Sequence, residues 1–264
     1  MKKPLISHEV PFCLLEQNLK WSDYQYCLPH LMEEDETYRN FFLQCKEDGV
    51  EIYLDNSLHE LGESVGDELL IKWINILEPT TFFIPDVWED MTGSIVNARR
   101  WSTIKVPKKT TKCAVVQAKS LHEAAICTQT YKDLGYKKIA YSYGAQYYHD
   151  LVPHPDKDFG KAIGRFVVIN KLIDSKVLSH TDRVHLLGTA NPIEFGLYKN
   201  IKCIESIDTS NPIMAGVEKR MYHQLGISPK PVANMNKYQD VSLDLLESEL
   251  IEYNVRKFRE INGL

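Results

Sequence analysis

Short apolar runs recur along the chain, and a polar or amphipathic stretch follows each of them. The runs cover residues 24–31, 50–57, 80–88, 112–119, 137–144, 182–189 and 201–208, with a weaker eighth at 231–236. Most are nearly continuous in apolar residues rather than alternating. This pattern is typical of parallel strands that are buried on both faces.

The stretches between the runs carry apolar residues at helical spacing. The predicted helices cover residues 35–49, 64–77, 120–135, 159–177 and 241–263. Ser120 and Glu123 predict a capping box at the start of the third helix, and Gly49 and Gly135 predict the ends of the first and third. Residues 145–180 hold the longest excursion, where we expect a loop insertion beside the site.

The alternation of strands and helices predicts the fold. It indicates an α/β protein, a (β/α)8 TIM barrel that residues 1–264 form as a single domain. The length of 264 residues suits one such barrel, which typically has about 250. A doubly wound open sheet is the alternative, but no GxGxxG follows a strand.

Composition excludes several classes of protein. The chain is 44% apolar and 25% charged, yet no window approaches the roughly 20 apolar residues of a membrane span, and no signal peptide is visible. We therefore expect a cytoplasmic protein with no membrane partner. The six cysteines form no CxxC pair and the nine histidines no HExxH. This predicts free thiols, no metal, no zinc module and no cofactor.

Charge is unevenly distributed along the chain. The net charge of −5 argues against a general nucleic-acid coat. However, residues 97–112 hold six Lys or Arg and no acid. Two interpretations of this basic strip stay open: a solvated loop, or a phosphate contact beside the mouth of the barrel through Arg99, Arg100, Lys108 and Lys109.

Acids stand at the ends of three predicted strands, and a glutamine stands at a fourth. These residues are Asp55, Asp86, Asp208 and Gln117. Each acid alone suits a helix cap. Because the strand ends of a barrel converge on one mouth, three acids together favour a site. They could hold Mg²⁺, but metal-dependent barrels usually add histidines at strand ends. The nearest here are His59 and His185, and we interpret His185 as a packed strand residue.

Six short motifs in order carry a family resemblance. LDNS, FIPD, VVQA, AYSYG, HLLGTANP and ESIDTSNP resemble the tRNA-guanine transglycosylases, over roughly residues 50–212. Each motif is a partial match, and VHLLGT and IESIDTSNP are the strongest. The family's C-terminal zinc motif is missing and the chain is shorter, so it looks most like the compact phage-type DNA 7-deazaguanine transglycosylases.

The resemblance implies a role for each strand-end residue. Asp208 aligns with the nucleophile that attacks the sugar C1′, and Asp55 with the general acid/base. Asp86 aligns with the acid that binds the N1 and amino edge of guanine, and Gln117 with the glutamine that contacts the base carbonyl. Base exchange with retention needs two inversions, which a covalent carboxylate intermediate provides.

Other residues are expected to shape the substrate pocket. Ser142 and Tyr143 fall where the family has two glycines that line the base pocket. Gly188 belongs to the turn that leaves room for the ribose. An extruded base needs an aromatic pocket, and Trp88, Trp101 and Tyr143 are the candidates for it.

The implied reaction exchanges guanine in DNA for a free 7-deazaguanine base, such as 7-cyano-7-deazaguanine. In a phage this would protect DNA from restriction inside the host cytoplasm. A tRNA substrate is the main alternative. Two further alternatives are a non-catalytic partner subunit and an unrelated metal-dependent barrel hydrolase. The sequence leaves the oligomeric state open.

Overall fold

The centre of the molecule is one parallel β-sheet rolled into a nearly closed barrel. The computed structural model describes residues 3–227, 229–232 and 240–264, and within these ranges the sheet has eight strands in the order β1-β8-β7-β6-β5-β4-β3-β2. The strands are β1 (Leu5–Ser7), β2 (Gln25–Cys27), β3 (Ile52–Leu54), β4 (Thr81–Phe83), β5 (Thr111–Val116), β6 (Lys138–Ser142), β7 (Arg183–Leu187) and β8 (Ile204–Asp208). The predicted (β/α)8 barrel is confirmed.

Seven of the eight strands coincide with predicted apolar runs, and the eighth was not predicted. The remaining strand is β1, near the start of the chain, which pairs in parallel with β8. In the predicted strand at 231–236, residues 231 and 232 are not in a strand, and residues 233–236 lie outside the described residues. A three-residue strand next to a proline-containing segment carries too little periodicity to be recognised.

Backbone and side-chain hydrogen bonds join the seam between β1 and β2. The Asp23 amide donates to the Ile6 carbonyl at 2.7 Å, and the Ile6 amide donates to Asp23 Oδ2 at 2.9 Å. The Ser22 hydroxyl accepts from the His8 amide at 2.9 Å. Arg259 in the last helix holds Asp23 through an ion pair of 3.1 Å. These contacts take the place of a regular ladder between β1 and β2, which stand at the two ends of the strand order.

Helices cover the outside of the barrel. They are α1 (Leu15–Trp21), α2 (Pro29–Glu34), α3 (Glu36–Glu47), α4 (Leu58–Leu61), α5 (Asp67–Leu77), α6 (Met91–Thr103), α7 (Leu121–Asp133), α8 (Gln146–Leu151), α9 (Lys157–Asp174), α10 (Asn211–Val217) and α11 (Leu245–Asn262). In the expected insertion at 145–180, the predicted helix over 159–177 is present as α9, whereas α8 was expected to be loop and is helical. Their close packing explains this: at Gly164 of α9 an added Cβ would lie 2.0 Å from the Tyr148 carbonyl oxygen of α8.

Helix caps follow the sequence signals closely. Ser120 caps α7 by accepting from the Glu123 amide at 3.1 Å, as predicted. The Glu123 carboxylate, however, reaches the Lys119 amide at 2.8 Å rather than the amide of Ser120. In α11, Asp244 and Glu247 form a complete capping box. Such caps satisfy amides that a helix leaves unpaired at its start.

The interior of the barrel mixes aromatic and polar side chains. Tyr24 and Tyr53 stack with ring centroids 3.9 Å apart, and both are buried. Lys138 is fully buried, donates to the Tyr53 hydroxyl at 2.7 Å and pairs with Glu205 at 3.2 Å. A buried charge is tolerated only when it is paired in this way.

The six cysteines are free thiols in the structure, and Cys13 alone among them is exposed. Across residues 3–227, 229–232 and 240–264, no helix is long and apolar enough to cross a bilayer.

Candidate active site at the carboxyl end of the barrel

A pocket of about 350 Å³ opens where the carboxyl ends of the strands converge. This volume lies in the range typical of small-molecule sites. All seven residues predicted for catalysis and substrate binding line it: Asp55, Asp86, Gln117, Ser142, Tyr143, Gly188 and Asp208. The parallel barrel brings these residues together from strands far apart in the sequence.

Asp208 ends β8 at the floor of the pocket and is 4% exposed. One carboxylate oxygen, Oδ1, lies 2.8 Å from His185 Nε2, and the Gly188 amide donates to the other at 3.3 Å. Burial raises the pKa of Asp208 to about 7, and the Gly188 amide opposes that rise. The carboxyl group therefore changes its charge close to neutral pH.

Asp55 follows β3 and is held by two donors. The Tyr26 hydroxyl donates to Oδ1 and the Ser57 amide donates to Oδ2, each at 2.9 Å. Burial raises the pKa of Asp55, and these donors moderate the shift. Ser57 has a left-handed backbone with a φ of 62°. Strained backbone of this kind is often found at functional sites.

Asp86 lies between two amide side chains. Asn56 Nδ2 donates to one oxygen and Gln117 Nε2 to the other, each at 2.6 Å. The Glu89 amide donates to Gln117 Oε1 at 3.0 Å, which fixes the orientation of the Gln117 amide. Burial raises the pKa of Asp86 to about 7, and both amide donors oppose it. Gln117 thus bonds Asp86 directly in this structure.

Aromatic side chains form part of the rim. The Tyr143 ring covers Gly188, where an added Cβ would lie 2.4 Å from the ring. Lys230 Nζ lies 3.8 Å from the centroid of the same ring. Trp88 is 46% exposed and stacks on His59 with centroids 6.0 Å apart. These side chains present flat surfaces at the entrance of the pocket.

Trp101 does not belong to this rim. It is fully buried on α6, packs against Phe82 and donates to Asp67 at 3.1 Å. Its candidacy for an aromatic pocket is therefore wrong. Its large apolar ring fills the layer between the barrel and the helices.

Two acids in the pocket were missed by sequence reasoning. Glu9 follows β1 and Glu60 belongs to α4, and both line the pocket. Burial and the charge of Glu60 raise the pKa of Glu9 well above its usual range. Burial and the charge of Asp55 raise the pKa of Glu60 to about 8. Glu9 was missed because β1 was not predicted. For Glu60 the available signal was its position, only five residues after Asp55.

His185 was predicted to be a packed strand residue, and it is fully buried. The packing interpretation missed its hydrogen bond to Asp208. Its position on the strand next to Asp208 was the available signal, because neighbouring parallel strands present their inner side chains to one another.

A buried ion pair stabilises the turn that carries Gly188. Arg165 of α9 pairs with Glu194 at 2.6 Å, and both side chains are fully buried. Arg165 also donates to the carbonyls of Leu187 and Gly188 at 2.9 and 2.8 Å. Glu194 accepts from the Ala190 amide at 3.0 Å. The Gly188 amide is thereby held against Asp208.

The basic strip does not lie beside the pocket as expected. Arg99, Arg100, Lys108 and Lys109 are exposed and absent from the lining. Lys108 and Lys109 lie within three residues of the start of β5, so they lie at the amino end of the barrel. With a rise of about 3.3 Å per residue, the six-residue strand separates them from the mouth by roughly 20 Å. Arg100 instead pairs with Asp67.

Comparisons with known proteins add no identification: no family model matches the chain, and no curated protein matches it. Within the part of the chain that the structure describes, no group of three or more His, Cys, Asp or Glu is arranged to hold a metal ion. The resemblance to the transglycosylases therefore stays a prediction from the motifs.

Proposed function

We propose that this protein exchanges guanine in a nucleic acid, DNA in the first place, for a free 7-deazaguanine base. The supporting observation is that Asp208, Asp55 and the amide-flanked Asp86 line a single pocket. A nucleophile, a proton-transfer group and an acceptor for a purine edge are the three parts that such a reaction needs.

The proposed reaction is a double displacement. An Asp208 oxygen attacks C1′ of the target nucleotide, and the bond from C1′ to guanine N9 breaks. Guanine leaves with a proton supplied by Asp55. The incoming base then gives its N9 proton to Asp55 and attacks C1′, which releases the Asp208 carboxylate. Two inversions return the sugar to its original configuration.

Asp86 would select the base. Guanine presents N1–H and an amino group along one edge, and a carboxylate accepts from both. Adenine has no hydrogen on N1, so it would leave without a donor the lone pairs of Asp86 that Asn56 and Gln117 do not use, which costs about 1–3 kcal/mol for a buried group. Asn56 and Gln117 keep Asp86 facing one direction, since each of its oxygens already accepts one bond of 2.6 Å.

The nucleic acid would approach over the aromatic rim. The target base must leave its stack to reach a buried carboxylate. Exposed Trp88 and the Tyr143–Lys230 pair offer surfaces on which neighbouring bases can stack. Raised pKa values of the buried acids reduce the negative charge that the phosphates meet at neutral pH.

The direct test is incorporation. The purified protein is incubated with duplex DNA, single-stranded DNA or tRNA, together with labelled guanine or 7-cyano-7-deazaguanine, and nucleosides are then analysed by mass. We expect label in DNA, and none with Asp208→Asn. Label in tRNA alone would change the substrate to tRNA. No label in any polymer would contradict the proposal.

A further inference from the structure

Two buried polar side chains lie next to Asp208 inside the barrel, and sequence analysis gave neither a chemical role. His185 of β7 is the register partner of Ser206 in β8. Ser206 precedes Asp208 by two residues, so both face the same side of the strand. Ser206 and His185 are fully buried, and neither is reached from the solvent.

The three side chains form a continuous chain of hydrogen bonds. Ser206 Oγ lies 2.8 Å from His185 Nδ1, and His185 Nε2 lies 2.8 Å from Asp208 Oδ1. An ionised carboxylate only accepts, so Nε2 carries the hydrogen. In a neutral imidazole Nδ1 then accepts, and the Ser206 hydroxyl is its donor. Each atom of the chain has one role that fits its neighbours.

The imidazole ring is kept neutral and fixed in place. Burial lowers the pKa of His185 well below its usual range, and the charges of Lys138 and Arg165 add to this effect. The ring packs against Phe83 and Tyr53 with centroids 5.0 and 6.0 Å away. It therefore offers Asp208 a donor with a defined direction and no net charge.

We propose that Ser206 and His185 are positioning residues that orient the Asp208 carboxylate for attack on the sugar. His185 holds Oδ1 and the Gly188 amide holds Oδ2, so the plane of the carboxylate is set. A neutral donor stabilises the carboxylate when it leaves the sugar, without the permanent ion pair that would weaken it as a nucleophile. This inference rests on the proposed base exchange.

The test compares His185→Leu, His185→Gln and Ser206→Ala with the wild type. Leu fills the apolar surroundings but offers no donor, whereas the Gln amide can reach the position of Nε2. Formation of the covalent enzyme–DNA adduct is followed in a single turnover without added base and trapped by denaturation. Steady-state kcat and KM for 7-cyano-7-deazaguanine are measured alongside, and thermal unfolding confirms that each variant is folded.

We expect His185→Leu to slow adduct formation at least about 10-fold, the effect of losing a hydrogen bond to a charged group, with KM within about two-fold. His185→Gln should recover part of the rate. Ser206→Ala should show a smaller loss, because it removes only the partner that selects the tautomer. If a folded His185→Leu forms the adduct at the wild-type rate, the inference is wrong and base exchange stands. A wild type that neither forms an adduct nor exchanges base overturns both.

Discussion

Buried acids at this site cost stability. The pKa of Asp208 is raised to about 7 chiefly because burial disfavours its charged form. In the unfolded chain the same group ionises near its ordinary pKa of 3.8. The folded state therefore binds the extra proton between these two values. Protonation of Asp208 therefore stabilises the folded state. This stabilisation is complete below about pH 4 and is lost as the pH rises through about 7.

Replacing Asp208 with Asn should remove this pH-dependent loss. Between pH 5 and pH 8 the free energy of unfolding of Asp208→Asn should rise relative to the wild type by about 2–3 kcal/mol, from about two pKa units at 1.36 kcal/mol each. Urea unfolding at both pH values measures it. Asp174→Asn, at an exposed site ending α9, is the matched control and should show no such trend. An equal difference at both pH values would contradict the raised pKa.

Single residues at the site were predictable to the extent that strand ends were. Asp55, Asp86 and Asp208 follow strong apolar runs, and the barrel places whatever follows its strands at one mouth. His185 was recognised only as buried because sequence reveals burial but not the direction of a hydrogen bond. Glu9 was not predicted because β1, which has only three residues, shows too little apolar pattern to be recognised as a strand.

The turn after β7 is shaped by a contact between a glycine and a ring. Gly188 has a φ of 59°, and its amide donates to Asp208. An added Cβ would meet the Tyr143 ring at 2.4 Å. The backbone angle and the ring both require glycine here, so the turn and the residue after β6 depend on one another.

Gly188→Ala should therefore lower the free energy of unfolding by more than the same substitution at an ordinary left-handed glycine. The φ penalty is about 1–2 kcal/mol, and moving the ring adds about 1–3 kcal/mol. Gly49→Ala is the matched control, because Gly49 has a φ of 73° and nothing within 4 Å of an added Cβ. The two midpoints of denaturant unfolding measure the difference. An equal loss in both variants would show that Tyr143 moves aside at no cost.

At the level of elements, amphipathic helices were predicted well and packing-dependent ones were not. Helices α3, α5, α7, α9 and α11 all fall within or close to their predicted ranges. Helix α6 was missed because its sequence, MTGSIVNARRWST, has few apolar residues and ends in the basic strip. It is helical because Trp101 and Ala98 are buried on it. Tertiary burial decides such a segment, and local pattern does not.

For the whole molecule, the distribution of charge decides how a nucleic acid approaches. The basic strip and the pocket lie at opposite ends of β5, whereas Lys230 and Trp88 lie at the mouth. The positive charge of the strip could be predicted from the sequence. Its location could not be predicted, because a residue preceding a strand and one following it differ by the full height of the barrel.

Substitution at the rim should weaken DNA binding more than substitution of the strip. Trp88→Ala with Lys230→Ala should raise the Kd for single-stranded DNA at least about 10-fold and lower the salt slope by about one. Neutralising Arg99, Arg100, Lys108 and Lys109 together should leave the Kd and the salt slope within about two-fold of their wild-type values. Fluorescence anisotropy at several salt concentrations measures them. A flattened slope in the strip variant would place DNA along the amino end instead.

The pairing of β1 with β8 also sets the order in which the barrel can fold during synthesis. Leu5 is the register partner of Ser206, about 200 residues later in the chain. During synthesis at about 5–20 residues per second, the first strand waits roughly 10–40 s for its neighbour to emerge. Strands β2 to β7 can pair in succession meanwhile. The nascent chain thus has no pocket until the last strand arrives, and Glu9 and Asp208 come together only then.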